Sequence, residues 1–229
     1  MTSTPKLSRQ YQVSQFTKGL DLPLPALDKR HLYVIAEVLL IAWQYLQNEQ
    51  GSLLNTIPEA ELNTLMESQL GEMDKVCPEW EMLVRGVSRG KESINFDASS
   101  LEKRPDLQIH LTDRAFRLPL AVECKLIDVG ANKTVSLYCK DGLSRFIIGD
   151  YAWYAFEGFM LAYVRDSAKI ATSLTPHLVV CSKENPDPYL TEKLPHPVVP
   201  SVGELCCSDH GRKFSGNPGL ITIWHLWLS

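Results

Sequence analysis

The segment from Arg104 to Ile127 constrains this chain more than any other. It reads Arg-Pro-Asp-Leu-Gln-Ile-His-Leu, then a polar turn, then Leu-Pro-Leu-Ala-Val-Glu-Cys-Lys-Leu-Ile. Asp106–Leu111 alternates as a strand does, Thr112–Arg117 is turn-like, and Leu118–Ile127 is a longer and more apolar strand. The two runs together predict a hairpin. Asp106 stands at the head of the first strand, and Glu123 and Lys125 lie near the end of the second. Two residues apart, Glu123 and Lys125 share one face of their strand. Asp106 precedes Glu123 by 17 residues (123 − 106), enough for the hairpin to return the chain beside it.

Two carboxylates brought that close repel unless a cation lies between them. A hard divalent ion suits the oxygens, so Mg²⁺ is expected, with Mn²⁺ an alternative. Such an ion would acidify a bound water and offset charge on a phosphorane-like transition state. Lys125 could orient that water or donate to the phosphate. A second Pro-Asp pair, Pro186-Asp187, has no strand-like setting and no acid-x-Lys after it. It serves as an internal negative.

The rest of the chain supplies a frame for this hairpin. Its 229 residues, 45% hydrophobic and 22% charged, suit one soluble α/β (α+β) domain. Residues 1–26 read as an irregular arm and 27–229 as a single domain. Asp28 caps a helix that runs to about Glu49 and stops at Gly51, with Val34, Ile35, Val38, Ile41, Ala42 and Tyr45 at helical spacing. Pro58-Glu59 opens a second helix, with Leu62, Leu65, Met66, Leu70 and Met73 as its stripe. A short helix near Trp80–Val87 leads into a loop to residue 103. A helical region is expected from about Gly142 to Arg165, broken at Gly149-Asp150. Its aromatics, Phe146 to Tyr163, fit a core better than a base-stacking surface. His177–Cys181 reads as a buried strand, the proline-rich stretch 183–201 as a loop, and Leu220–Leu228 as a final strand.

Pro105-Asp106 followed by Glu123-Cys124-Lys125 resembles the PD-(D/E)XK nuclease superfamily, which includes many restriction endonucleases. The flanking text looks like bacterial proteins of that type suspected in anti-phage defence: Glu102-Lys103-Arg104, Gly142-Leu143-Ser144-Arg145-Phe146 and Met160-Leu161-Ala162-Tyr163. The resemblance covers about residues 55–182. It implies a mixed sheet flanked by helices, with Asp106, Glu123 and the carbonyl of Cys124 binding Mg²⁺ and Lys125 assisting water. It also implies a further acid from an upstream helix. Glu59, in phase with Leu62 and Met66, is the better match, whereas Glu61 leans outward. Glu37 lies off its helix's apolar face. DNA is the implied substrate. Lys140 and Arg145, flanking the helix expected behind the site, and Arg104, directly before the metal acid, could contact phosphates, with salt bridging the alternative.

The net charge of −4 argues against a basic coat for nucleic acid. Targeting is therefore expected from a protein partner, such as an ATPase or sensor subunit, or from homo-oligomerisation. An alternative is a catalytically silent subunit that keeps the fold for assembly or nucleic-acid binding. The six cysteines form no C-x-x-C pair, which fits reduced thiols in a cytoplasmic setting. No apolar run approaches the ~20 residues that span a bilayer. Cys206-Cys207-x-x-His210 is a weak zinc signal, and Gly86-x-x-x-Gly90-Lys91-Glu92 lacks the ending of a nucleotide loop.

Overall fold

A computed structural model describes residues 17–90, 104–200 and 202–229, together with positions 11, 14, 15 and 96. Lys91, Glu92, Glu102 and Lys103, and most of the loop expected before residue 104, lie outside the described residues, as do residues 1–10 of the arm. Positions 11, 14, 15 and 17 are helical, so the arm is not wholly irregular.

The described residues form one seven-stranded mixed sheet flanked by helices, an α+β architecture. Helix α1 (Lys29–Gln50) is capped by Asp28, whose side chain accepts from the Arg30 N–H, and it ends at Gly51 with φ 50°. Helix α2 (Glu59–Leu70) follows Pro58, and α3 (Pro78–Leu83) leads directly into β1 (Val84–Ser88). Strands β2 (Leu107–Leu111) and β3 (Leu120–Ile127) make the expected antiparallel hairpin. A helical stretch follows: α4 (Val135–Tyr138), a π-helical segment (Cys139–Leu143) and α5 (Ser144–Ile147). Then come β4 (Glu157–Val164), α6 (Thr175–Cys181), β5 (Thr191–Pro197), β6 (Glu204–His210) and β7 (Ile221–Leu228).

The strand order is β1-β2-β3-β4-β7-β6-β5. The β3–β4 and β4–β7 pairs are parallel and the others antiparallel. Alternate side chains of the central strands feed two cores. Val122, Cys124, Phe159, Leu161 and Trp224 pack under α1 and α2. Ala121, Ile127, Met160, Ala162 and Trp227 pack under the helical stretch that follows β3.

Several local expectations are corrected. The C-terminal half of the helix expected over 142–165 is β4, buried on both faces at all eight positions. A strand covered on both sides loses its period-2 alternation and reads like a buried helix. The reverse error falls at His177–Cys181, which is helical. Its Leu178 and Cys181 are buried at i, i+3, while Val180 is 63% exposed. Strand β5 runs through the expected proline loop because an edge strand tolerates prolines. Strands β1 and β6 carry too much Gly, Ser, Cys and Asp to announce themselves. On α1 the buried stripe includes Leu39, Trp43 and Leu46, and Tyr45 is exposed.

Candidate metal and phosphate site

The site forms because β2 is shorter than β3. The pairing runs from Ile109↔Leu120 to Leu107↔Val122 and then stops. Beyond Val122, the backbone groups of Cys124 and Leu126 on that edge face no strand. Bare strand groups require partners, and three side chains supply them. Asp106 Oδ2 accepts from the Cys124 N–H at 2.9 Å. Glu59 Oε2, in the first turn of α2, accepts from the Leu126 N–H at 2.6 Å. The Lys125 ammonium donates to the Cys124 carbonyl at 2.8 Å.

The expected acids therefore meet around one cation. Lys125 Nζ lies 2.7 Å from Glu123 Oε1, 3.5 Å from Asp106 Oδ2 and 3.7 Å from Glu59 Oε1. Arg145 approaches Glu123 Oε1 at 3.5 Å. Glu123 is the deepest member, with its side chain 1% exposed. Gly142 lets the π-helical segment press against it: a Cβ there would sit 2.5 Å from Met160 Cε and 3.5 Å from Glu123 Cγ. A π segment next to a polar cluster is a common accompaniment of functional sites.

Burial and the neighbouring Asp106 carboxylate push Glu123 up to about 7, against the pull of Lys125 and Arg145. Burial works against the Lys125 ammonium, but Glu123, Asp106 and Glu59 outweigh it and hold the group above its ordinary range. Lys125 thus stays charged while Glu123 is poised to titrate near neutrality. With all groups ionised, three carboxylates face one ammonium and one guanidinium, leaving one negative charge unbalanced.

Among the described residues, no group of three or more His, Cys, Asp or Glu side chains is placed to hold a metal by itself. The donor set the sequence suggests is two carboxylates and a carbonyl, and the local chemistry fits a hard cation. Glu123 Oε2 is buried with no hydrogen-bond partner. The unbalanced charge, and the share of Glu123's upward shift that comes from Asp106 after burial, would both be relieved by added positive charge. Lys125 already bonds Glu123 Oε1 and the Cys124 carbonyl, so an ion taking those oxygens would displace the ammonium toward the cleft.

That cleft, of about 280 Å³, is lined by Glu59, Lys125, Lys133, Tyr138, Asp141 and Arg145, among others. Arg145 is held at its wall, donating to the Tyr151 hydroxyl at 2.5 Å, and Tyr151 in turn donates to the Arg104 carbonyl at 2.9 Å. Lys140 is exposed but does not line the cleft. Arg104 is exposed beside Pro105, tied to the site through its carbonyl. Lys133, Tyr151 and Gly142 were not assigned to the site from sequence. Lys133 had a weak signal, a lysine in the loop just past the acid-x-Lys strand. The other two depend on contacts between distant segments.

The remaining sequence candidates resolve locally. Glu61 and Glu37 are exposed. Asp187 caps its own turn, accepting from the N–H groups of Tyr189 (2.8 Å) and Thr191 (2.7 Å). Cys206 and Cys207 are consecutive in β6 and face opposite sides, and both ring nitrogens of His210 are engaged. Phe146, Tyr151, Tyr154, Phe159 and Tyr163 are core residues.

His210 and His225 belong to a buried chain whose direction follows from its end. The Tyr189 carbonyl can only accept, so His210 Nδ1–H donates to it (2.9 Å). His210 Nε2 then accepts from Ser208 (2.7 Å), Ser208 from His225 Nε2–H (2.8 Å), and His225 Nδ1 from Tyr138 (2.7 Å).

No match to this chain is found among protein-family models, curated proteins or solved structures. Among the described residues, no helix is long and apolar enough to cross a membrane.

Proposed function

We propose that this chain is a metal-dependent endonuclease of the PD-(D/E)XK type, hydrolysing phosphodiester bonds in DNA as the nuclease subunit of a bacterial defence or restriction-type system. The observation that carries this reading is the convergence at the bare edge of β3: Glu59 from a helix, Asp106 from the lead-in to β2, and Glu123 and Lys125 from β3 itself. Asp106, Glu123 and the Cys124 carbonyl would hold Mg²⁺ or Mn²⁺. When bound, the ion would supply an acidified water and positive charge against the reacting phosphate. Lys125, released toward the cleft, orients the attacking water and donates to a phosphate oxygen. Glu59 limits where that ammonium can go and pins the Leu126 backbone. Arg145, anchored by Tyr151 and lining the same cleft, receives the phosphate. The acidic chain favours a protein partner or self-assembly for targeting, in a cytoplasmic setting.

The intact ion-pair cluster also suits the silent-subunit reading, because Lys125 already pairs with all three acids. Plasmid nicking separates the two. Wild-type protein with Mg²⁺ should nick DNA, and Lys125→Ala should slow this by about a hundredfold or more. Metal-dependent nicking that survives Lys125→Ala would remove the lysine from the mechanism. No cleavage, alone or with the native partner present, would favour the silent subunit.

A further inference from the structure

A second cleft, of about 550 Å³, lies between α1 and strands β5–β7, with Tyr33, Phe156 and Trp224 on its apolar wall. It holds a cysteine–histidine pair. Strand register places His196 of β5 opposite Cys207 of β6, and Cys207 Sγ lies 3.2 Å from His196 Nε2. The Leu194 carbonyl, 3.1 Å from His196 Nδ1, can only accept, so Nδ1 carries the ring proton. Nε2 is therefore the free base, and the thiol donates to it. A nucleophile within hydrogen-bond reach of a base that a third group orients is the arrangement by which weak nucleophiles are activated.

The charged groups around the pair are Lys29 on α1, Lys193 on β5, Glu157 on β4 and Asp209 on β6. Burial and Asp209 hold the Cys207 thiol above its ordinary value, while Lys193 and Lys29 pull it down. The resting form at Cys207 is therefore the thiol, hydrogen-bonded to His196. Both cysteine and histidine are part-exposed to the cleft.

We propose that Cys207 is a base-assisted reactive thiol that exchanges with anionic low-molecular-weight disulfides, of which glutathione disulfide is one. The two lysines match the carboxylates of such a ligand. In the exchange, the Cys207 S–H bond breaks and its proton passes to His196 Nε2. The sulfur's electron pair forms a bond to the nearer sulfur of the disulfide, whose S–S bond breaks. The far half leaves as a thiolate and takes the proton back from the imidazolium. Cys207 is oxidised to a mixed disulfide and the leaving half is reduced to a thiol. This site is independent of the phosphodiester reading.

The test uses the full chain and dithiobis(nitrobenzoate), an anionic aromatic disulfide, with the modified cysteine identified by peptide mass. Cys77, half-buried and facing Glu79 at 3.7 Å, is the internal reference. Cys207 should react at least about tenfold faster than Cys77. His196→Gln should slow Cys207 about tenfold and leave Cys77 unchanged, and Cys207→Ser should remove the fast phase. Should His196→Gln disturb folding, a comparison on wild-type protein decides: Cys207 should prefer the anionic disulfide over an uncharged dipyridyl disulfide. Labelling no faster than Cys77, a Cys207 rate unchanged in His196→Gln, or no preference for the anionic disulfide would overturn the proposal.

Discussion

Acidifying the protein from about pH 7 to about pH 5, with a chelator present, sets two buried titrations against each other. Burial depresses His210 to about 4 and His225 to about 3 from an ordinary 6.5. A base depressed in the folded state contributes stability above its unfolded value, and that stability drains away as pH falls toward the folded value. Over this interval the unfolded chain takes up two protons that the folded chain refuses, at a cost of about 2 kcal/mol for each histidine. Glu123 runs the other way. Its folded value of about 7 lies above the ordinary 4.5, so its penalty is present above pH 7 and is relieved as pH falls. Over the same interval it returns about 2 kcal/mol. The wild-type protein should therefore lose only about 2 kcal/mol, the difference of the two effects. Glu123→Gln removes the compensating titration, and the loss should rise to about 4 kcal/mol. Urea unfolding at each pH measures this directly. The slope is the readout, because Glu123→Gln also alters the bond to Lys125, an offset that does not follow the carboxyl's titration. A Glu123→Gln slope no steeper than wild type would refute the opposing-titration account.

Three further outcomes follow from packing and pairing. In Gly158→Ala the new Cβ would sit 2.4 Å from Phe146 Cε1 in the core, so stability should fall by about 1–3 kcal/mol in urea titrations. Arg114 and Glu157 form an ion pair with side chains only 5% and 4% exposed. Arg114→Met alone should cost about 3–5 kcal/mol by thermal unfolding, and adding Glu157→Gln should recover much of that loss. Ser208→Ala strips the central link between His210 and His225, leaving two ring nitrogens unpaired. The cost should be about 2 kcal/mol or more by urea unfolding, with imidazole proton signals perturbed in NMR spectra.

The hairpin and the side chains it brings together were legible because their signals are local. Alternation marked β2, apolar density marked β3, and the parity of Glu123 and Lys125 put them on one face. The inward phase of Glu59 picked it over Glu61, and it is Glu59 that reaches Lys125 and the Leu126 N–H. The centre of the sheet was not legible, because β4 is buried on both faces and its sequence carries no period to distinguish strand from helix. Lys140 is exposed and lies outside the cleft, whereas Arg145, five residues on, lines it. Tyr151 joins the site through a loop whose path no local pattern specifies.

The site's position follows from one mismatch of strand length. Had β2 extended two residues further toward its N-terminus, its backbone would have satisfied Cys124 and covered the edge. Instead the chain turns away at Pro105-Asp106. Proline at 105 donates no backbone hydrogen bond, so it suits the point where the ladder stops. The first polar side chain available there is Asp106, which takes over the bond a strand would have made. The same residue pair that ends the ladder thus brings a carboxylate to its open edge. Once there, the acid needs countercharge, and Lys125 supplies it from the next position along the exposed backbone. This also accounts for the contrast with Pro186-Asp187. There the aspartate finds free N–H groups in its own turn, at Tyr189 and Thr191, so its oxygens are spent locally and no second acid is drawn in. A Pro-Asp pair becomes a candidate metal site only where the vacant donors belong to a neighbouring strand that carries its own acid and lysine.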